Sequence, residues 1–293
     1  MQRLQLRCGA LSAGIAPTLG GALTHFRSGS GESEVNWMRP WQDRGRGPLD
    51  SSSFVMVPFF SWLEKDDFMF ADRHVKLQPS GLGFKRSLLG LGWTTSWSVD
   101  QRTSHSATLS HRNPGGAWPW RYHAQQCISL DDVSLTVKVM LRNEDTSPMP
   151  AGLGLHTFFP RPQGLRVQAS VKAMHLMSDA GLPFAVDPSH PAVRMLAEGG
   201  ELQTGLDNVF EGWDGAASLT GPHGRLLITA DSPYDFLCVN APHAADYCCV
   251  EPVTHTTNAL HAPNIPGGET GFVMLAPGAS MTATARFQPE LKR

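Results

Sequence analysis

Two distant segments each place one proton-handling side chain inside an otherwise apolar, strand-like run: Gly152-Leu-Gly-Leu-His156-Thr-Phe-Phe159 and Cys249-Val-Glu251-Pro252-Val-Thr-His255. A carboxylate or an imidazole on a buried strand face is costly unless it is paired or used. Taken singly, each also reads as a satisfied structural residue at a strand end. Taken together, an imidazole that gives a proton and a carboxylate that takes one point to general acid/base work.

The elements that must position these residues are strands. Ser134 to Asn143 alternates with a period of two, putting Leu135, Val137, Val139 and Leu141 on one face. Leu226–Thr229, Phe236–Val239, Phe272–Leu275 and Ser280–Phe287 read as further short strands, and Ser104–Ser110 as a weaker one. One short helix is expected at His190–Glu198, with Ser189 as cap and Pro191 in its first turn. Arg27–Ser53 and Arg112–Trp120 read as loops, the first with an edge strand near Val35–Met38. Similar strand patterns run on either side of both, so one domain over 1–293 is expected. Many short strands with few helices indicate an all-β sandwich or barrel.

Composition agrees and narrows the partners. The 293 residues include 29 Gly and 22 Pro, more chain breakers than a helical protein tolerates. Net charge is −2 with no basic stripe, which argues against nucleic acid and against an anionic membrane surface. A small neutral ligand suits this balance. The five cysteines (Cys8, Cys127, Cys238, Cys248, Cys249) are odd in number and lack disulfide or zinc spacing, so they read as buried thiols of a reducing compartment. A metal set of His243, Cys248 and Cys249 fits no common zinc pattern. No secretory leader and no membrane-length apolar run are visible, so the expected location is cytoplasmic.

The local wording around His156 and Glu251 resembles the aldose 1-epimerase (galactose mutarotase) family. The matching runs are Gly154-Leu-His156-Thr-Phe158-Phe159, Glu251-Pro252 with Asn258-Ala259 downstream, and Leu206-Asp207-Asn208-Val-Phe210 between them. Pro17-Thr-Leu-Gly20-Gly21 and Pro150-Ala-Gly-Leu-Gly154 extend the likeness over most of the chain. The resemblance implies a galactose mutarotase-like β-supersandwich whose sheet face holds a sugar. It implies Glu251 as the base, His156 as the acid and Asp207 as a hydroxyl acceptor. Together they would open and reclose a pyranose ring, with acid and base on opposite sides of the anomeric centre. No metal, nucleophile or cofactor is required.

Two family positions differ. Pro58-Phe-Phe-Ser61-Trp62 stands where the family carries Asn-Arg, and Leu88-Leu89-Gly90 stands where it carries Leu-His-Gly. An arginine fork replaced by an indole loses up to five donors. Trp62 or Trp93 could instead stack on the apolar face of a sugar. Ser61, Trp62, Trp93 and Trp213 are therefore the candidate substrate-binding residues beside Asp207, with Trp118 and Trp120 open between core and rim. His255 reads either as a partner of Glu251 or as exposed. Two other readings stand beside the enzyme: a non-catalytic carbohydrate-binding or sensing protein on the same fold, and an enzyme for a phosphorylated or acidic sugar using Lys85 and Arg86.

Overall fold

The computed structural model describes residues 3–81, 83–261 and 265–292. The chain forms two large antiparallel sheets. The larger runs in the order Leu4–Cys8, Leu11–Ala16, Ala22–Ser28, Ser53–Met56, Gly154–Pro160, Tyr247–Val253, Phe236–Ala241, Leu206–Glu211, Ala173–Met177, Pro183–Asp187. Val35–Asn36 pairs at its side with Ala22–Ser28, so the expected edge strand in the first long loop is present. The second sheet has eight strands and includes Leu135–Asn143 between Ser280–Leu291 and Tyr122–Leu130.

Alternation dictates how the sheets meet. Leu135, Val137, Val139 and Leu141 are all buried, as their spacing requires, while the residues between them are half-buried or exposed. They share a core with Val55, Leu155, Phe159 and Val250 of the larger sheet, where Phe159 lies 6.4 Å from Phe287. Each such aliphatic side chain contributes about 1.5–3 kcal/mol by leaving water. The architecture is thus a sandwich.

The central strands of the larger sheet are buried on both faces. Tyr247–Val253 shows why: Cys248 and Val250 point into the shared core, whereas Cys249 and Val253 point the other way, into a second apolar cluster with Phe54, Met56, Phe158 and Trp93. Adjacent Cys248 and Cys249 therefore serve opposite faces, as the period of two demands. It is this second face that carries His156 and Glu251.

The one α-helix among the described residues is Pro191–Ala197. His190 rather than Ser189 is its cap: the imidazole Nδ1 accepts from the Ala192 N–H at 3.2 Å, while the Ser189 hydroxyl donates to Asp187. No helix among the described residues is long and apolar enough to cross a membrane. Trp118 and Trp120 are both buried, 5.2 Å apart, and belong to the core.

Candidate active site

Strand register assembles the floor of the site. Gly154 pairs with Val253 and Phe158 with Cys249, so His156 falls opposite Glu251. Phe54 flanks His156 on the other side, and Cys238 flanks Glu251. One rung further along the same face, Cys249 pairs with Asn240 and Asn240 with Asp207. Residues distant in sequence thus meet because each lies an even number of positions from the next on its strand. Gly154 leaves room for this packing, since a Cβ there would lie 2.5 Å from Met56 Cε.

The acid/base pair is close and only partly engaged. His156 Nδ1 lies 3.5 Å from Glu251 Oε1, and neither His156 Nδ1 nor Glu251 Oε2 has a hydrogen-bond partner among the described residues. The imidazole is held between the Phe54 and Phe158 rings, at 4.8 and 4.5 Å. Behind Phe158 lies the Arg39 guanidinium, 3.8 Å from the ring centroid, buried and bonded to the Leu49 and Ser51 carbonyls. The pair sits side by side on the sheet floor.

Electrostatics push both members toward neutrality. Burial drives the Glu251 carboxyl well above its ordinary range, and the nearby Asp207 charge adds to this. Burial also drives His156 down to about 3, with the Arg39 cation adding to it. Both shifts favour the same arrangement of a shared proton, a carboxylic acid beside a neutral imidazole. Asp207 stands at the open edge of the floor; its surroundings push its carboxyl upward, and a hydrogen bond from Asn240 opposes this. Cys249 is buried beneath, its thiol pushed well above its usual value by burial and then by Glu251. A ring nitrogen of His156, Cys249 Sγ and a Glu251 oxygen lie within 4.8 Å of one another, a donor set of the kind that binds zinc.

Above this floor is a cavity of about 230 Å³, whose lining includes His156, Glu251, Asp207, Ser61, Trp62 and Leu89. Ser61, Trp62 and Leu89 therefore do face the site. Ser61 and Leu89 have φ of 59° and 61°, a left-handed backbone that costs a non-glycine residue about 1–3 kcal/mol. The segment after Glu251 holds this wall in place. The Asn258 N–H donates to the Trp62 carbonyl, its side-chain oxygen accepts from the Glu64 N–H at 2.8 Å, and the Thr257 hydroxyl donates to Ser61 Oγ. The Trp62 indole N–H donates to the Gly181 carbonyl, and a Cβ at Gly181 would lie 2.3 Å from the indole Cζ2.

Two predicted contacts lie elsewhere. Trp93 is fully buried beside the site, its ring stacked 5.3 Å from Phe54 and its N–H donated to the Leu88 carbonyl, so it supports His156 through Phe54 and offers no face to a ligand. Trp213 is buried in the core between the sheets and donates to the Ala216 carbonyl. His255 is neither exposed nor bonded to Glu251. Its Nε2 accepts from the Phe60 N–H at 3.0 Å and its Nδ1 donates to the Thr256 carbonyl, tying the wall to the strand end. Sequence reasoning missed Cys238, Asn240, Thr257 and Arg39; the even spacing of Cys238 and Asn240 on a strand beside Glu251 was the available signal. A separate groove of about 70 Å³ near Trp37 and His223 is mostly apolar, and its described lining holds one histidine and no carboxylate.

Residues 2–288 match the family profile described as aldose 1-epimerase. The uncharacterized Escherichia coli K12 protein YphB is 28% identical over 270 residues, covering 86% of this chain and 88% of that protein. Among solved structures, a candidate aldose 1-epimerase of Escherichia coli K12 superposes with a TM-score of 0.87 at 24% identity, covering 99% of both chains. A galactose mutarotase-like protein of Clostridium acetobutylicum gives 0.82 at 15% identity, covering 99% of this chain and 95% of that one. These likenesses make the fold galactose mutarotase-like.

Proposed function

The chain belongs to the aldose 1-epimerase family, and from that premise we propose that it interconverts the α and β anomers of an aldose by acid/base opening and closure of the pyranose ring. The observation that carries the reading is the His156–Glu251 pair, 3.5 Å apart, with unspent hydrogen-bonding capacity on both members at the floor of the cavity.

Ring opening removes a proton from the anomeric hydroxyl and delivers one to the ring oxygen. A pair that holds one proton between two groups supplies one acid and one base. In the assigned direction Glu251, as carboxylate, takes the anomeric proton while His156, as imidazolium, protonates the ring oxygen. The products of that step are a carboxylic acid and a neutral imidazole, the arrangement that burial favours, so the surroundings of the pair assist ring opening. Rotation about the C1–C2 bond presents the other face of the aldehyde, and the reverse transfers close the ring. The empty site reaches its charged arrangement by moving one proton within the pair, with no exchange with solvent. Asp207 accepts from a sugar hydroxyl, and Trp62 offers the apolar surface. Polar contacts that an arginine makes in other members are replaced here by stacking and burial.

The test is anomer exchange followed by magnetisation-transfer NMR on a panel of aldoses. Wild type should accelerate exchange, and Glu251→Gln should lower the rate at least about 100-fold, the usual contribution of a positioned proton-transfer group. An unchanged rate in Glu251→Gln would sink the assignment.

A further inference from the structure

Beyond the acid/base floor, the cavity has a second compartment. A space of about 250 Å³ lined by Trp62, Phe84, Lys85, Arg86, Ser87, Leu88 and Ala180 shares Trp62, Phe84 and Leu88 with the cavity above His156 and Glu251. The two spaces are therefore separated by a wall of three side chains and meet along it.

The rim that carries the two cations is built, not loose. The turn is closed by backbone bonds: the Phe84 N–H donates to the Gly81 carbonyl, and the Ser80 N–H to the Arg86 carbonyl. The Leu88 N–H donates to the Ser80 hydroxyl at 2.7 Å, and Leu88 bridges to Trp62. The Ser87 N–H donates to both oxygens of Asp66, which occupies the carboxylate bonded to this turn. Lys85 and Arg86 are exposed and make no ion pair within 4 Å among the described residues. The lining of the main cavity contains no lysine or arginine of its own.

Two uncommitted cations thus line a compartment that adjoins a cavity whose described lining has no cation of its own, and they are placed to meet an anionic group. We propose that Lys85 and Arg86 form an anion subsite, and that the substrate is an aldose bearing an anionic group, a phosphate ester or a carboxylate, at the end remote from C1. The proposal rests on the epimerase reading for its orientation. C1 lies over His156 and Glu251, so the far end of the sugar passes Trp62 and reaches the second compartment. An arginine fork and a lysine point charge both suit a phosphate or carboxylate.

The test separates binding from chemistry. Using Glu251→Gln, calorimetric affinities are measured for glucose, glucose 6-phosphate and glucuronate, with and without Lys85→Ala/Arg86→Ala. The expected result is a roughly tenfold preference for at least one anionic sugar over glucose, weakening with added salt. That preference should collapse toward one in the double substitution. Comparing the phosphate with the carboxylate shows which anion is recognised. Equal affinity for neutral and anionic sugars, or a preference that survives the double substitution, overturns the subsite. The epimerase reading fails separately, when wild type accelerates anomer exchange of no sugar. An anion preference that depends on Lys85 and Arg86 would stand even then.

Discussion

Glu251→Gln should change the pH dependence of stability in a way set by proton counting. The ordinary values are 4.5 for a glutamate and 6.5 for a histidine. In the folded protein Glu251 lies well above the first, and His156 sits at about 3. Between pH 4.5 and 6.5 the unfolded pair carries one proton, on the histidine, and the folded pair carries one, on the glutamate. The counts match, so the pair adds no slope there. Below pH 4.5 the unfolded pair gains a second proton that the folded pair refuses, and stability falls with acid. Above pH 6.5 the unfolded pair holds none while the folded pair keeps one. Stability then falls by about 1.4 kcal/mol per pH unit until Glu251 ionises. With glutamine at 251 that alkaline loss disappears, because only the depressed His156 remains, and its contribution is complete by pH 6.5. Above pH 6.5 the wild-type curve should therefore slope downward where the variant's stays flat. Urea unfolding followed by tryptophan fluorescence at a series of pH values measures this. Comparing slopes cancels the constant effect of the substitution itself. Parallel curves above pH 6.5 would show that Glu251 is already ionised in the folded protein, and would refute the argument from burial.

Two further outcomes follow from the surroundings of the pair. Arg39→Met removes the cation that, after burial, holds His156 down; the imidazole should titrate at higher pH by NMR, and an unmoved titration would show that burial alone sets it. Gly181→Ala places a methyl 2.3 Å from the Trp62 indole at a backbone φ of 74°. It should cost more than about 1 kcal/mol and shift the indole, read as a changed Trp62 emission and a raised KM; an unaltered KM would remove Trp62 from substrate contact.

The floor of the site was far more legible in the sequence than its walls. His156, Glu251 and Asp207 stand on strands, where a period of two decides which face a side chain takes, and all three line one cavity. Ser61, Trp62 and Leu89 were visible as departures from a family pattern, but their place depended on loops. Loops are set by long-range bonds such as Asn258 to Trp62 and Glu64, which no local pattern announces. The tryptophans show the same limit. Proximity to a motif in sequence suggested Trp93 and Trp213 as contacts, yet a large apolar ring beside a site serves the core equally well, and both are buried away from the cavity. Arg39 was unreadable for a different reason. A buried guanidinium without a carboxylate partner is rare enough that a cation in a Gly-Ser-Asp-rich stretch reads as solvated.

The division between a sheet-borne floor and a loop-borne wall has an evolutionary consequence. A change in the floor must respect strand register, because a shift of one residue turns His156, Glu251 and Asp207 away together. The wall meets no such constraint: Ser61, Trp62 and Leu89 stand outside the strands of the large sheets, so their side chains can be exchanged without moving His156 and Glu251 from their 3.5 Å separation. Chemistry and substrate choice are thus inherited on separate parts of the chain. If the proposed reaction holds, a lineage on this scaffold can explore new sugars by drift in residues 58–62 and 83–92 while the strand-borne pair stays in register.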